Sequence, residues 1–97
     1  MTDDEPVRVP IEDAIDLHWF APAEIVSVVD EYLFAAQQAG FDVVRVIHGR
    51  GKGLQRAAIQ RLLSTHAVVE SFWDDTRSHL GATMVRLRKP LPPDSVR

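Results

Sequence analysis

Val43-Val44-Arg45-Val46-Ile47-His48-Gly49-Arg50-Gly51-Lys52-Gly53-Leu54 is the stretch from which the fold can be read. Its first five residues are rich in β-branched side chains, which suit a pleated strand. Glycines 49, 51 and 53 then predict a bend, and Leu54, Ala58 and Leu62, flanked by Ile59 and Leu63, predict an amphipathic helix ending near Ser64. A strand, a glycine bend and a helix form one half of a crossover unit. Downstream, Val68–Trp73 and Ala82–Leu87 read as two further strands joined by a turn over Asp75–Gly81. Upstream, Ile25, Val28, Val29, Tyr32, Leu33 and Ala36 recur at helical spacing between Pro22, placed for a first turn, and Gly40, placed for a left-handed cap. Ala14–Leu17 precedes that helix as a short strand running into His18. The order is β-α-β-α-β-β.

Strand–helix–strand crossovers are right-handed and give parallel strands. If both crossovers advance in one direction, both helices fall on one sheet face, and the last two strands, joined by a short loop, run opposite to each other. The prediction is an α/β (α+β) two-layer sandwich with a mixed four-stranded sheet and helices on one face. The open face is a surface for binding or for a partner. The domain spans residues 12–88, with an extended arm at 1–11 and a proline-rich tail at 89–97.

The 97 residues suffice for one domain, and a 45% hydrophobic fraction excludes a disordered chain. The absence of cysteine excludes disulfides and thiolate metal sites. No apolar run follows the acidic start, so neither a signal peptide nor a membrane anchor is expected, and a cytoplasmic location is the default. The net charge of −3 argues against bulk electrostatic binding of nucleic acid, but it is unevenly spread. Acidic residues crowd the first 13 positions, whereas Arg45, Arg50, Lys52, Arg56 and Arg61 lie in a stretch, residues 45–69, without a carboxylate. That zone is either a basic patch or a solvated face.

Ligands of open α/β sheets bind beyond the carboxyl ends of parallel strands. Asp16 and His18 end the first strand, His48 ends the second, and Gly81-Ala82-Thr83 starts the fourth, so these segments converge if the first two strands are neighbours. The glycine bend before a helix exposes backbone N–H groups to a phosphate, and Arg50 and Lys52 add charge. It is neither a Walker A loop nor a dinucleotide fingerprint. Imidazoles both accept and donate protons near neutrality, so His18 and His48, with Asp16 in support, could cleave a phosphodiester. One divalent ion on Asp16, His18 and His48 is the weaker alternative. Asp74 and Asp75 read as turn residues, His66 as a surface or capping residue, and His79 as solvent-exposed. Phe34, Phe41 and Phe72 are expected in the core. Trp19 and Phe20 are expected to pack, base stacking being the rival role, and Trp73 is expected on the open face beside Arg45, Arg86 or Arg88.

Ile15-Asp16-Leu17-His18 resembles the Leu-Asp-x-His motif of Smr (small MutS-related) domains, and His48-Gly49-Arg50-Gly51 resembles their His-Gly-x-Gly motif. The following helix and Gly81-Ala82-Thr83 are similar too, so the likeness covers roughly residues 12–88. It implies a stand-alone Smr protein without an ATPase portion, and a fold like the C-terminal domain of translation initiation factor three. It also implies nicking or endonuclease activity on DNA or RNA, in some relatives on messenger RNA at stalled ribosomes. The family's functional positions fall on Asp16, His18, His48, Gly49, Arg50 and Gly51. Trp19 stands where many members have glycine.

The resulting expectation is an Smr-type nuclease, either assisted by a divalent metal such as Mg or Mn or independent of one. Asp16, His18 and His48 are its catalytic candidates, and Gly49, Arg50, Gly51, Lys52, Gly53, Arg56 and Thr83 its phosphate contacts. The alternatives are a noncatalytic module docking on nucleic acid or ribosome, and a dimerising adaptor using the open face and Trp73. The chain is expected to be a monomer or weak homodimer.

Overall fold

The computed structural model describes residues 11–49 and 53–90. Most of the expected arm and tail, and Arg50, Gly51 and Lys52 of the glycine bend, lie outside the described residues.

Strand β1, Ala14–Asp16, ends one residue earlier than the sequence suggests. Asp16 terminates it by accepting the His18 backbone N–H, which winds Leu17–Trp19 into a 3-10 turn and drops Leu17 into the core. A second 3-10 turn over Pro22–Glu24 leads into helix α1, Ile25–Gln38. Its expected stripe is buried at Ile25, Val29, Tyr32, Leu33 and Ala36. The Gly40 N–H donates to the Gln37 carbonyl and the Phe41 N–H to that of Ala36, the two bonds of a Schellman end, with Gly40 at φ +92°.

Strand β2, Val43–Ile47, alternates as a half-covered strand should: Val44 and Val46 are buried, and their neighbours point the other way. Helix α2, Leu54–Thr65, is turned from its expected orientation. Ile59 and Leu63 face the core, while Leu54, placed on the apolar stripe from sequence, is 75% exposed. The rotation puts Arg56 and Gln60 on the sheet side, where both reach Asp74. Strand β3, Val69–Asp74, carries a bulge between Val69 and Ser71, and strand β4 spans Ala82–Leu87.

The sheet order is β1-β2-β4-β3, with β1 parallel to β2 and β4 antiparallel to both β2 and β3. The carboxyl ends of β1, β2 and β3 therefore share one edge with the start of β4. Buried residues of both helices meet Val44, Val46, Val85 and Leu87 in one cluster, which is the two-layer arrangement expected from the element order. Phe41 and Phe72 pack against it, but Phe34 is 44% exposed and tilts over the His66 ring at 4.9 Å. His66 closes α2, yet its ring is buried rather than at the surface. Its Nδ1 accepts the Val68 N–H at 3.2 Å, so the proton sits on Nε2, which donates to Asp30 at 2.7 Å. Among the described residues no helix is long and apolar enough to cross a membrane.

Candidate functional site

The shared edge brings Asp16, His18, His48, Gly49 and Thr83 together. His18 stands on the 3-10 turn, with its side chain 63% exposed. Its Nδ1 lies 2.6 Å from Asp16 Oδ1, the same oxygen that accepts its backbone N–H at 3.0 Å. A carboxylate only accepts, so the proton of a neutral ring is on Nδ1 and Nε2 presents a lone pair. The backbone N–H and then the ring N–H hold the Asp16 carboxyl below its usual range, so it remains ionised and able to stabilise an imidazolium. Nε2 faces Gly49: a Cβ built there would stand 3.0 Å from it, and Gly49 has φ +84°. Only a glycine suits both conditions. Among the described residues nothing hydrogen-bonds Nε2.

His48 is different in kind. It is 4% exposed, and both ring nitrogens are engaged. Nδ1 lies 3.1 Å from the Gly49 carbonyl, which can only accept, so Nδ1 carries the proton; Nε2 must then accept from the Thr83 hydroxyl at 2.9 Å. The Thr83 oxygen in turn accepts from the Gln60 amide at 3.2 Å, and the same amide donates to Asp74 at 3.0 Å. Arg56 grips Asp74 through Nε and a terminal nitrogen at 2.9 and 2.8 Å. An unbroken hydrogen-bonded chain therefore runs from α2 and β3, through β4 and His48, to the glycine bend. Burial, with the Arg56 charge adding to it, outweighs the Gly49 bond and holds the His48 imidazole below its usual value. The Arg56 and Gln60 hydrogen bonds hold Asp74 ionised.

The bend is also pinned through its backbone, since the His48 and Gly49 N–H groups both donate to the Gly81 carbonyl, at 3.0 and 2.9 Å. Gly53, at φ +82°, takes a left-handed conformation to start α2 with no side-chain cap. Arg56, expected to contact phosphate, has two guanidinium nitrogens occupied by Asp74. Among the described residues no group of three or more His, Asp or Glu is placed to hold a metal ion, and the ring nitrogens of His48 point to Thr83 and Gly49 rather than towards His18 and Asp16.

Trp19 does not pack; it is 85% exposed beside His18. Asp74 and Asp75 are more than turn residues, because Asp75 is buried and accepts from Arg45 Nε at 2.8 Å. Gln60 had no local motif to mark it. Its signal is the i, i+4 spacing from Arg56, which places both on the face that meets the end of β3.

Residues 15–88 match the Smr domain family. The endonuclease MutS2 of Caldicellulosiruptor saccharolyticus is 36% identical over 80 residues, covering 80% of this chain and 10% of that protein. The endonuclease MutS2 of Pelotomaculum thermopropionicum is 40% identical over 79 residues, again covering 10% of its length. The chain thus spans about a tenth of these relatives. The Smr domain of Thermus thermophilus MutS2 superposes with a TM-score of 0.74 at 35% identity, covering 79% of this chain and 99% of that domain. YdaL, a stand-alone small MutS-related protein from Escherichia coli, shares the fold with a TM-score of 0.73 at 24% identity, covering 82% of this chain and 67% of YdaL.

Proposed function

The chain belongs to the Smr domain family, and from that premise we propose that it is an endonuclease that cuts phosphodiester bonds of DNA or RNA at the edge formed by Asp16, His18 and the glycine bend. The observation that carries this reading is the Asp16–His18 pair, whose lone-pair nitrogen is aimed at Gly49. In the proposed reaction the substrate phosphate lies against the backbone N–H groups at the start of α2, and the positive charges that the sequence carries at Arg50 and Lys52 offset its own. His18 Nε2 takes a proton from an attacking water as its oxygen bonds to phosphorus, and Asp16 steadies the imidazolium that forms. The P–O bond to the leaving strand breaks with its oxygen protonated from solvent, to which the imidazolium then returns its proton. His48 serves as a positioning residue. Its only ring proton is held by the Gly49 carbonyl, so it fixes the bend and has no proton to give to a leaving oxygen. In this reading the indole of Trp19, which is exposed beside His18, stacks on a base next to the cut. The endonuclease names of the MutS2 relatives support the same class of reaction.

The test is to incubate the full chain with end-labelled single- and double-stranded DNA and RNA, with chelator and with added Mg or Mn. Discrete cleavage products are expected from at least one substrate. Tight binding with no cutting under any condition would instead leave a docking module, a second reading that Trp19 favours by standing where many family members have glycine.

A further inference from the structure

The helix-free face of the sheet carries a set of residues that the cleavage edge does not use. Pairing places Ala14, Arg45, Met84 and Trp73 in one row across all four strands. The next row towards the carboxyl edge holds Asp16, Ile47 and Ala82, and the row behind holds Val43, Arg86 and Ser71. Trp73 is 41% exposed, and the Arg86 guanidinium lies over its ring at 5.6 Å. Arg45 and the 84%-exposed Arg77 flank it, both turned to the buried Asp75. Arg45 and Arg77 are thus both committed to Asp75, Asp16 shares this face, and Arg86 has no carboxylate partner among the described residues.

We propose that this face is a track for single-stranded nucleic acid, with Trp73 and Arg86 as a stacking platform for a base upstream or downstream of the one at His18. The proposal rests on the nucleic-acid reading of the edge site and deepens it. An aromatic ring paired with a guanidinium accepts any base by its π-face, and Arg86, which has no carboxylate partner among the described residues, supplies positive charge beside it. The face is continuous with the edge. With strands about 4.8 Å apart and residues about 3.3 Å apart, Trp73 lies roughly 16 Å from Asp16, three strands over and two residues back. An extended strand spans that distance in a few nucleotides, whereas a rigid duplex cannot follow the twisted sheet to lay a base flat on the indole.

The chain has two tryptophans, so Trp19→Phe leaves Trp73 as the sole indole reporter. In a Trp19→Phe, His18→Ala background, short oligodeoxy- and oligoribonucleotides are titrated against fluorescence, beside a duplex of equal length. Expected are quenching of Trp73 by single strands, a fivefold to hundredfold loss of affinity in Trp73→Ala, near-full rescue by Trp73→Phe, and a shallower salt dependence in Arg86→Ala. Thermal melts establish that each variant is folded; if Trp73→Ala is not, quenching in the parent and the Arg86→Ala salt slope decide. Absence of quenching with unchanged affinity overturns the proposal, as does a Trp73-dependent dimer that ignores oligonucleotides. Wild-type cleavage is scored separately. Cutting without any Trp73 effect sinks this track alone, and Trp73-dependent binding without cutting sinks the nuclease reading alone.

Discussion

Gly49 and Gly53 share a left-handed backbone, at φ +84° and +82°, but differ in what a side chain would meet. At Gly53 a methyl group finds nothing within 4 Å, whereas at Gly49 it finds His18 Nε2 at 3.0 Å. Gly53→Ala should therefore cost about 1–2 kcal/mol in a denaturant melt through backbone strain alone. Gly49→Ala should cost a similar amount and also displace the imidazole, lowering cleavage by roughly a hundredfold. Equal activity losses in the two variants would show that the close approach of His18 to the bend is not used. The glycines themselves were legible in the sequence, since three at alternate positions announce a bend. Which of them faces a histidine was not, because that depends on how Leu17–Trp19 leaves the strand.

At the scale of elements, α2 braces the bend that precedes it. Arg56 and Gln60 reach Asp74 on β3, Gln60 reaches Thr83 on β4, and Thr83 reaches His48 at the end of β2. Thr83→Val keeps the shape but leaves a fully buried acceptor, His48 Nε2, without its donor. The expected cost is about 1–3 kcal/mol in stability, with cleavage down roughly tenfold and nucleic-acid affinity little changed. Unaltered cleavage would remove His48 from its positioning role. Strands and helices were readable from periodicity, but the rotation of α2 was not. Leu54, Ala58 and Leu62 form a credible apolar stripe, but the core takes Ile59 and Leu63 instead, and with Arg56 and Gln60 bonded to Asp74 this turns Leu54 outward. The ion pair joins residues 18 positions apart, so no local pattern could reveal it. Trp19 failed for a related reason: apolar character argues for burial, and the core beneath it is already filled by Leu17.

For the whole molecule, a mixed four-stranded sheet with both helices on one face was legible from element order and crossover handedness. The strand order β1-β2-β4-β3, with β4 between β2 and β3, was not, because it depends on long-range pairing. The same topology gathers the site, so Asp16, His18, His48 and Thr83 could be grouped from sequence, while their division of labour could not. That division has a thermodynamic consequence. His48 has its folded-state pKa below the unfolded value of about 6.5, so the unfolded chain takes up the proton first. Its contribution to stability is complete above about pH 6.5 and is lost as pH falls towards the folded value. Between pH 7 and pH 5 the wild-type Tm should drop more than that of His48→Asn, which starts lower and lacks this titration. Parallel curves would mean that folding does not lower the His48 pKa.

The claim on which the rest depends is that His18 moves the proton. Single-turnover cleavage by His18→Ala, measured beside its affinity for the same labelled strand, tests it most directly. The expected result is a rate lower by about 10²–10⁴ with Kd nearly unchanged. A variant that binds and cuts like the wild type would contradict it.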